Sequence, residues 1–232
     1  MPKKNAPRTC YMCDRAATSK EHIPPKCFFP EKGEIPVAKE YRKNLITVPS
    51  CDLHNLDKSD DDQYLLAVIA SHFENQEVSQ KHFSAKVVRS LIRRPSMFSF
   101  YQDNFPISVD GLPSIAYAID RGRFDNSQIK IIRGLYFHEY GDRLDQGIEI
   151  HTTDLIAVSG PDMKQINQRM QIIDHMVTNA LSGQPIKGEN PEIFSYQLIR
   201  MVQSSQVCIR SVFYGGFVVN AYSSPSVTIK KK

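Results

Sequence analysis

Between residues 52 and 94 apolar side chains recur at three- and four-residue spacing, which predicts two helices. The first runs over 52–72 with Tyr64, Leu65, Val68, Ile69 and His72 on its stripe. The second, 81–94, sets Phe83, Val87, Val88, Leu91 and Ile92 on one face and stops at Pro95, since a proline cannot continue the hydrogen-bond ladder. The period returns at Ile129, Ile132 and Tyr136, predicting a helix over 126–140 capped by Gly141. Pro161 then opens another, bearing Met163, Ile166, Met170, Ile173 and Val177 and closed by Gly183. Strand character marks 148–158, 193–201, 207–214 and 217–222, the last two joined as a hairpin at Gly215-Gly216.

The remaining stretches lack a clear period. Residues 1–8 are basic and proline-bearing and predict an arm with little structure of its own. Residues 26–37, with Phe28, Phe29, Pro30 and Gly33, predict a loop anchored by its aromatics, reaching nucleic acid or plugging the core. Residues 96–114 are rich in Pro, Ser, Gly and Asp and predict a packed connection. At 232 residues the chain can hold one large or two modest domains. We place a boundary near residue 95: an α+β chain with one domain over 1–95 and a second α+β domain with a small antiparallel sheet over 96–232, serving recognition or partner binding.

Charge is distributed unevenly. Residues 1–58 carry eleven Lys/Arg against seven Asp/Glu, and the remainder carries eighteen of each, so the formal net charge of +4 belongs to the first segment. No apolar run approaches the roughly 18 residues that span a bilayer, and the N-terminus begins with charge and proline. A cytoplasmic, non-membrane protein is expected. Five cysteines without a paired remainder argue against a disulfide framework.

The cysteines instead carry metal-ligand spacing. Cys10 and Cys13 are separated by two residues, which lets two thiolates converge across a tight turn; Cys51 and His54 repeat the spacing with an imidazole as fourth ligand. A closed set of this kind predicts a structural zinc. Cys27 and Cys208 have no such partner and read as packing residues.

Cys10-x2-Cys13, Glu21-His22, Asn44-Leu45 and Cys51-x2-His54-Asn55 together resemble the zinc-bearing, ββα-metal form of the HNH endonuclease family. The resemblance covers about residues 8–64. It departs from the common pattern in two places: His54 stands where a fourth cysteine is usual, and Glu21 where aspartate is commoner. The resemblance implies that His22 is the general base, that Glu21 and Asn55 hold a catalytic divalent ion, and that Asn44 keeps the histidine-bearing loop in shape. That ion would be magnesium or manganese.

Each implied role has a physical reason. Phosphodiester hydrolysis needs water deprotonated near neutral pH, which suits an imidazole. Charge builds on the phosphate, which suits a hard cation held by oxygen ligands. Pro24 and Pro25 keep the segment after His22 out of a helix. Ser59 and Asp62 fall one and two turns beyond Asn55 if a helix starts near Asp52, as reserve ligands or simply a solvated helix start.

The expected function is metal-dependent cleavage of DNA, with RNA the other polymer such a site would accept. Lys3, Lys4, Arg8, Lys20, Lys26, Lys39, Arg42 and Lys43 would face phosphate. The rival is a zinc-stabilised nucleic-acid-binding module without cleavage activity. A third class, an interaction protein acting through residues 96–232, is told apart by the absence of both cleavage and salt-sensitive DNA retention. Within the second domain, His138 and Glu139 are neighbours on a helix and point apart, so they read as core-edge residues, and His151 and His175 carry no spacing signal.

Overall fold

The structure is a computed structural model that describes residues 9–55, 59–109, 111–202 and 205–224. The predicted basic arm over 1–8, with Lys3, Lys4 and Arg8, lies outside the described residues. Strand β1, Ser19–His22, pairs antiparallel with β2, Thr47–Ser50, placing Glu21 opposite Val48 and His22 opposite Thr47. The chain between them carries a single 3-10 turn, Lys26–Phe28, and the Ile23–Pro24 peptide is cis. Phe28 and Phe29 are buried, so this loop plugs the core.

β2 runs directly into the short helix α1, Asp52–Asn55, and α2 follows as Ser59–Ala70. Of the expected helix over 52–72, residues 52–55 and 59–70 are helical among the described residues, and His72 lies beyond them. Every residue of α2 from Tyr64 to Ala70 is buried, as expected where this second half of the helix is apolar all round, while its acidic first turn is exposed or half-buried. The second predicted helix begins earlier than its apolar stripe, as α3, Glu77–His82, and continues through a π-turn, Phe83–Val87, into α4, Val88–Arg93. The extra residue of the π-turn rotates the stripe, and Ile92, expected inside, is 75% exposed.

The connection predicted over 96–114 is more ordered than its composition implies. A 3-10 segment, Pro95–Tyr101, leads into a hairpin of β3, Asn104–Val109, and β4, Leu112–Tyr117, turned at Gly111 with φ 81°. Pro106 and Pro113 are tolerated because a two-stranded ribbon has only edges.

Helix α5, Arg121–Tyr140, starts at Asp120, whose carboxylate accepts from the Arg123 amide at 2.9 Å, and ends at Gly141 in the left-handed conformation, as the sequence predicts. Strand β5 is only Ile148–His151, helix α6 is Met163–Ala180, and β6, Lys187–Asn190, was not anticipated. β7, Phe194–Arg200, β8, Val207–Phe213, and β9, Phe217–Ser223, complete a five-stranded antiparallel sheet in the order β5-β9-β8-β7-β6. The fold is mixed α+β with small antiparallel sheets.

Alternation assigns the two faces of that sheet. Ile173, Val177 and Leu181 cover Cys208 on one side. Phe194, Tyr196, Ile209, Phe213, Phe217 and Val219 turn the other way and join the same core as Cys10, Phe28, Leu65 and Phe124. Segments on either side of residue 95 therefore share one hydrophobic core. The β8–β9 turn is pressed against the backbone after α2: a Cβ on Gly216 would lie 2.5 Å from the Glu74 oxygen, so only glycine fits there.

Candidate metal centre

Two turns bring four ligand atoms to one point. In the first, the Cys10 amide donates to the Arg15 oxygen at 2.9 Å, the Met12 amide approaches Cys10 Sγ at 3.4 Å, and the Tyr11 amide donates to Pro49 at 2.9 Å, which fastens the turn to β2. In the second, β2 ends at Cys51 and the first turn of α1 supplies His54, whose amide donates to the Cys51 oxygen at 3.0 Å.

Cys13 Sγ lies 3.7 Å from Cys51 Sγ, and His54 Nδ1 lies 3.4, 3.6 and 3.3 Å from the sulfurs of Cys10, Cys13 and Cys51. Around a tetrahedral zinc with bonds of about 2.3 Å to sulfur and about 2.0 Å to nitrogen, ligand atoms sit roughly 3.5–3.8 Å apart. The four residues fit such an ion in both chemistry and spacing. Cys10 and Cys51 are buried while Cys13 and His54 are half-buried, as in a closed site at the edge of a core. The other two cysteines play no part: burial pushes the Cys27 thiol up to about 12 and that of Cys208 up to about 11, so both stay protonated.

Glu21 and His22 sit at the end of β1, where successive side chains project to opposite faces. His22 is half-buried, and its pKa is lowered by burial and by the nearby charges of Lys26 and Arg42 against the opposing pull of Glu21. It is therefore a neutral imidazole at pH 7. Glu21 points inward, 7% exposed, and lines a small cavity with Asp62, Ser127 and Lys130. Tyr11 hydrogen-bonds this carboxylate, and burial together with Glu21 keeps the phenol protonated far above its usual range.

Asn55, in α1, donates from Nδ2 to Ser19 Oγ at 2.8 Å and so joins the helix to β1. Thr18 Oγ1 makes a parallel tie to Asp52. Asn44 is exposed and adopts φ 53°, a left-handed conformation that asparagine tolerates better than most residues, three positions before β2. It shapes the entry to the strand through its backbone. Asp62 reaches the Glu21 cavity, whereas Ser59 contacts Asp60 at the exposed start of α2.

Tyr11 and Ser19, which set the positions of Glu21 and Asn55, were not singled out from the sequence. Ordinary polar residues carry no spacing signal; only the strand register reveals them.

Several basic residues are already compensated by acids. Lys39 pairs with Glu192, Arg42 with Glu31 at 2.6 Å and Lys43 with Glu40 at 2.9 Å, while Lys20 and Lys26 are exposed. On the second predicted helix Arg89 pairs with Glu34 at 2.7 Å and Arg94 with Asp60 at 2.8 Å. Glu139 accepts from Tyr196 at 2.6 Å and pairs with Lys187, a packing role at the sheet edge.

No protein-family model, curated protein or solved structure matches the chain. Among the described residues, no helix is long and apolar enough to cross a membrane.

Proposed function

We propose that this chain is a zinc-stabilised, metal-dependent endonuclease of the HNH type that hydrolyses phosphodiester bonds in DNA. The observation that carries the reading is the bracketing of the β1–β2 pair by the Cys10/Cys13/Cys51/His54 set, with a neutral, accessible imidazole at the strand end and Asn55 tied to the same strand at 2.8 Å.

In this reading the ligand set fixes the hairpin and α1 as one unit. His22 takes a proton from the attacking water; its lowered pKa keeps it ready for that task at neutral pH. Glu21 and Asn55 would hold a magnesium or manganese ion, with Asp62 in reserve at the Glu21 cavity. That ion would offset the charge that develops on the phosphate. Exposed Lys20 and Lys26 would contact the backbone of the nucleic acid.

The burial of Glu21 and its bond from Tyr11 favour a second reading, a zinc-stabilised module that binds nucleic acid without cutting it, because a carboxylate engaged inside the core is a poorer ion ligand. Supercoiled plasmid incubated with the protein and magnesium separates the two. Nicking or linearisation that EDTA abolishes supports the nuclease, and salt-sensitive retention of intact plasmid supports the binding module.

A further inference from the structure

We propose that His72, Glu74 and Asp154 form a second metal site, for a divalent transition-metal ion, which ties the chain just after α2 to the segment following β5. The site is independent of the nuclease reading and lies apart from the cysteine cluster.

His72 Nε2 is 3.7 Å from Asp154 Oδ1 and 3.8 Å from Glu74 Oε2, and all three ligand atoms lie within 4.8 Å of one another. The two imidazole–carboxylate separations exceed a hydrogen bond, about 2.7–3.2 Å, and suit atoms that share an ion at bond lengths of about 2.0–2.2 Å. The His72 side chain is 10% exposed, and its Nε2 is buried without a hydrogen-bond partner, aimed between two carboxylates. Buried polar nitrogens are normally satisfied, and an ion would satisfy this one.

The surroundings hold the ligands in place. The His72 ring stands edge-on to Phe217 at 5.4 Å and 87°. Asp154 Oδ2 accepts from the Val218 amide at 2.6 Å and from Thr152 Oγ1 at 3.4 Å, while Oδ1, which takes a long bond from Thr153 Oγ1 at 3.5 Å, is the oxygen nearer His72. Such outer partners are what orient metal-binding carboxylates. Glu74 is fixed at its backbone, where Gly216 packs within a Cβ's reach and the neighbouring Asn75 accepts from the Phe217 amide at 3.1 Å.

One imidazole and two carboxylates form a borderline-to-hard donor set, suited to zinc or manganese. Asp154 is 9% exposed and Glu74 56%, so the open coordination positions face solvent on the Glu74 side. The competing arrangement is a protonated imidazole between two carboxylates, for which 3.7–3.8 Å is long, since charge-assisted bonds close to about 2.7–2.9 Å.

The test uses the full chain with its cysteine centre already loaded with one equivalent of zinc, titrated calorimetrically with zinc chloride and, separately, manganese chloride. A further equivalent of at least one ion should bind. His72→Ala and Asp154→Asn should each weaken that binding by more than about 10- to 100-fold. The equivalent that His72→Ala removes should persist in Glu21→Gln, which separates this site from an ion at Glu21. If His72→Ala does not fold, the exposed Glu74→Ala carries the test, with a loss of about 10-fold expected. Absence of any further equivalent, or binding by folded variants as tight as the parent's, overturns the proposal.

Discussion

Tyr214 donates its hydroxyl proton to the main-chain oxygen of Phe28 at 2.8 Å, and the Phe28 ring lies 5.3 Å from Phe213, so the loop after β1 and the end of β8 close on one point. The hydroxyl has a single proton, so His82 Nδ1, 2.9 Å away, must donate to it. Tyr214→Phe leaves two buried polar groups without their partner. It should lower stability by about 1–3 kcal/mol in urea titrations without altering zinc content. An unchanged midpoint would mean that the link between the two halves rests on apolar contacts alone.

His82 gives the protein an acid sensitivity. Burial, with Lys86, Arg42 and Arg89 nearby, pushes its pKa down to about 3 from an ordinary 6.5. The folded state therefore holds a neutral imidazole, and below 6.5 the unfolded state binds the extra proton. Stability from this group is full above pH 6.5 and is lost as pH falls toward about 3. Between pH 7 and pH 5 the loss should be about 2 kcal/mol. His82→Gln should flatten this part of the urea stability profile, and a parent-like slope in the variant would assign the sensitivity elsewhere.

Zinc should be present at one equivalent per chain through Cys10, Cys13, Cys51 and His54. Because binding there is also folding free energy, on the order of 10 kcal/mol in small zinc modules, Cys51→Ser should unfold the hairpin–α1 unit. Hydrogen exchange should then rise over 9–55 more than over the five-stranded sheet. Full zinc retention with an unchanged melting profile would remove the ligand assignment.

The helical stripes, the Gly141 cap, the β8–β9 hairpin and the cysteine spacing were legible in the sequence because each is a local pattern. Boundaries were less so. The Asp110-Gly111 pair is a hairpin signal, but Pro106 and Pro113 on either side made the stretch read as a connection. Ile92 faces solvent because a π-turn, which leaves no mark in an apolar stripe, shifts the phase of the helix. Neither the shared core nor the His72–Asp154 approach could be read, since both depend on residues far apart in the chain that meet only once the sheet is assembled.

On the nuclease reading, Asn55→Ala should cripple cleavage while preserving DNA affinity at fixed salt, because the exposed Lys20 and Lys26 assigned to phosphate in that reading are untouched. Glu21→Asp should keep or raise activity. Rates measured against magnesium concentration, beside filter-binding affinities, check both. Normal cutting by Asn55→Ala would move the ion to Glu21 and Asp62, whose cavity they already share.

The nuclease reading stands most directly on His22. Rates of plasmid cleavage in magnesium for the parent and for His22→Ala, each with its zinc content confirmed, provide the measurement. Loss of a positioned general base should slow cleavage about 100- to 10,000-fold with one zinc still bound. Cleavage by zinc-loaded His22→Ala at the parental rate, or no magnesium-dependent cleavage by the parent, would contradict the account.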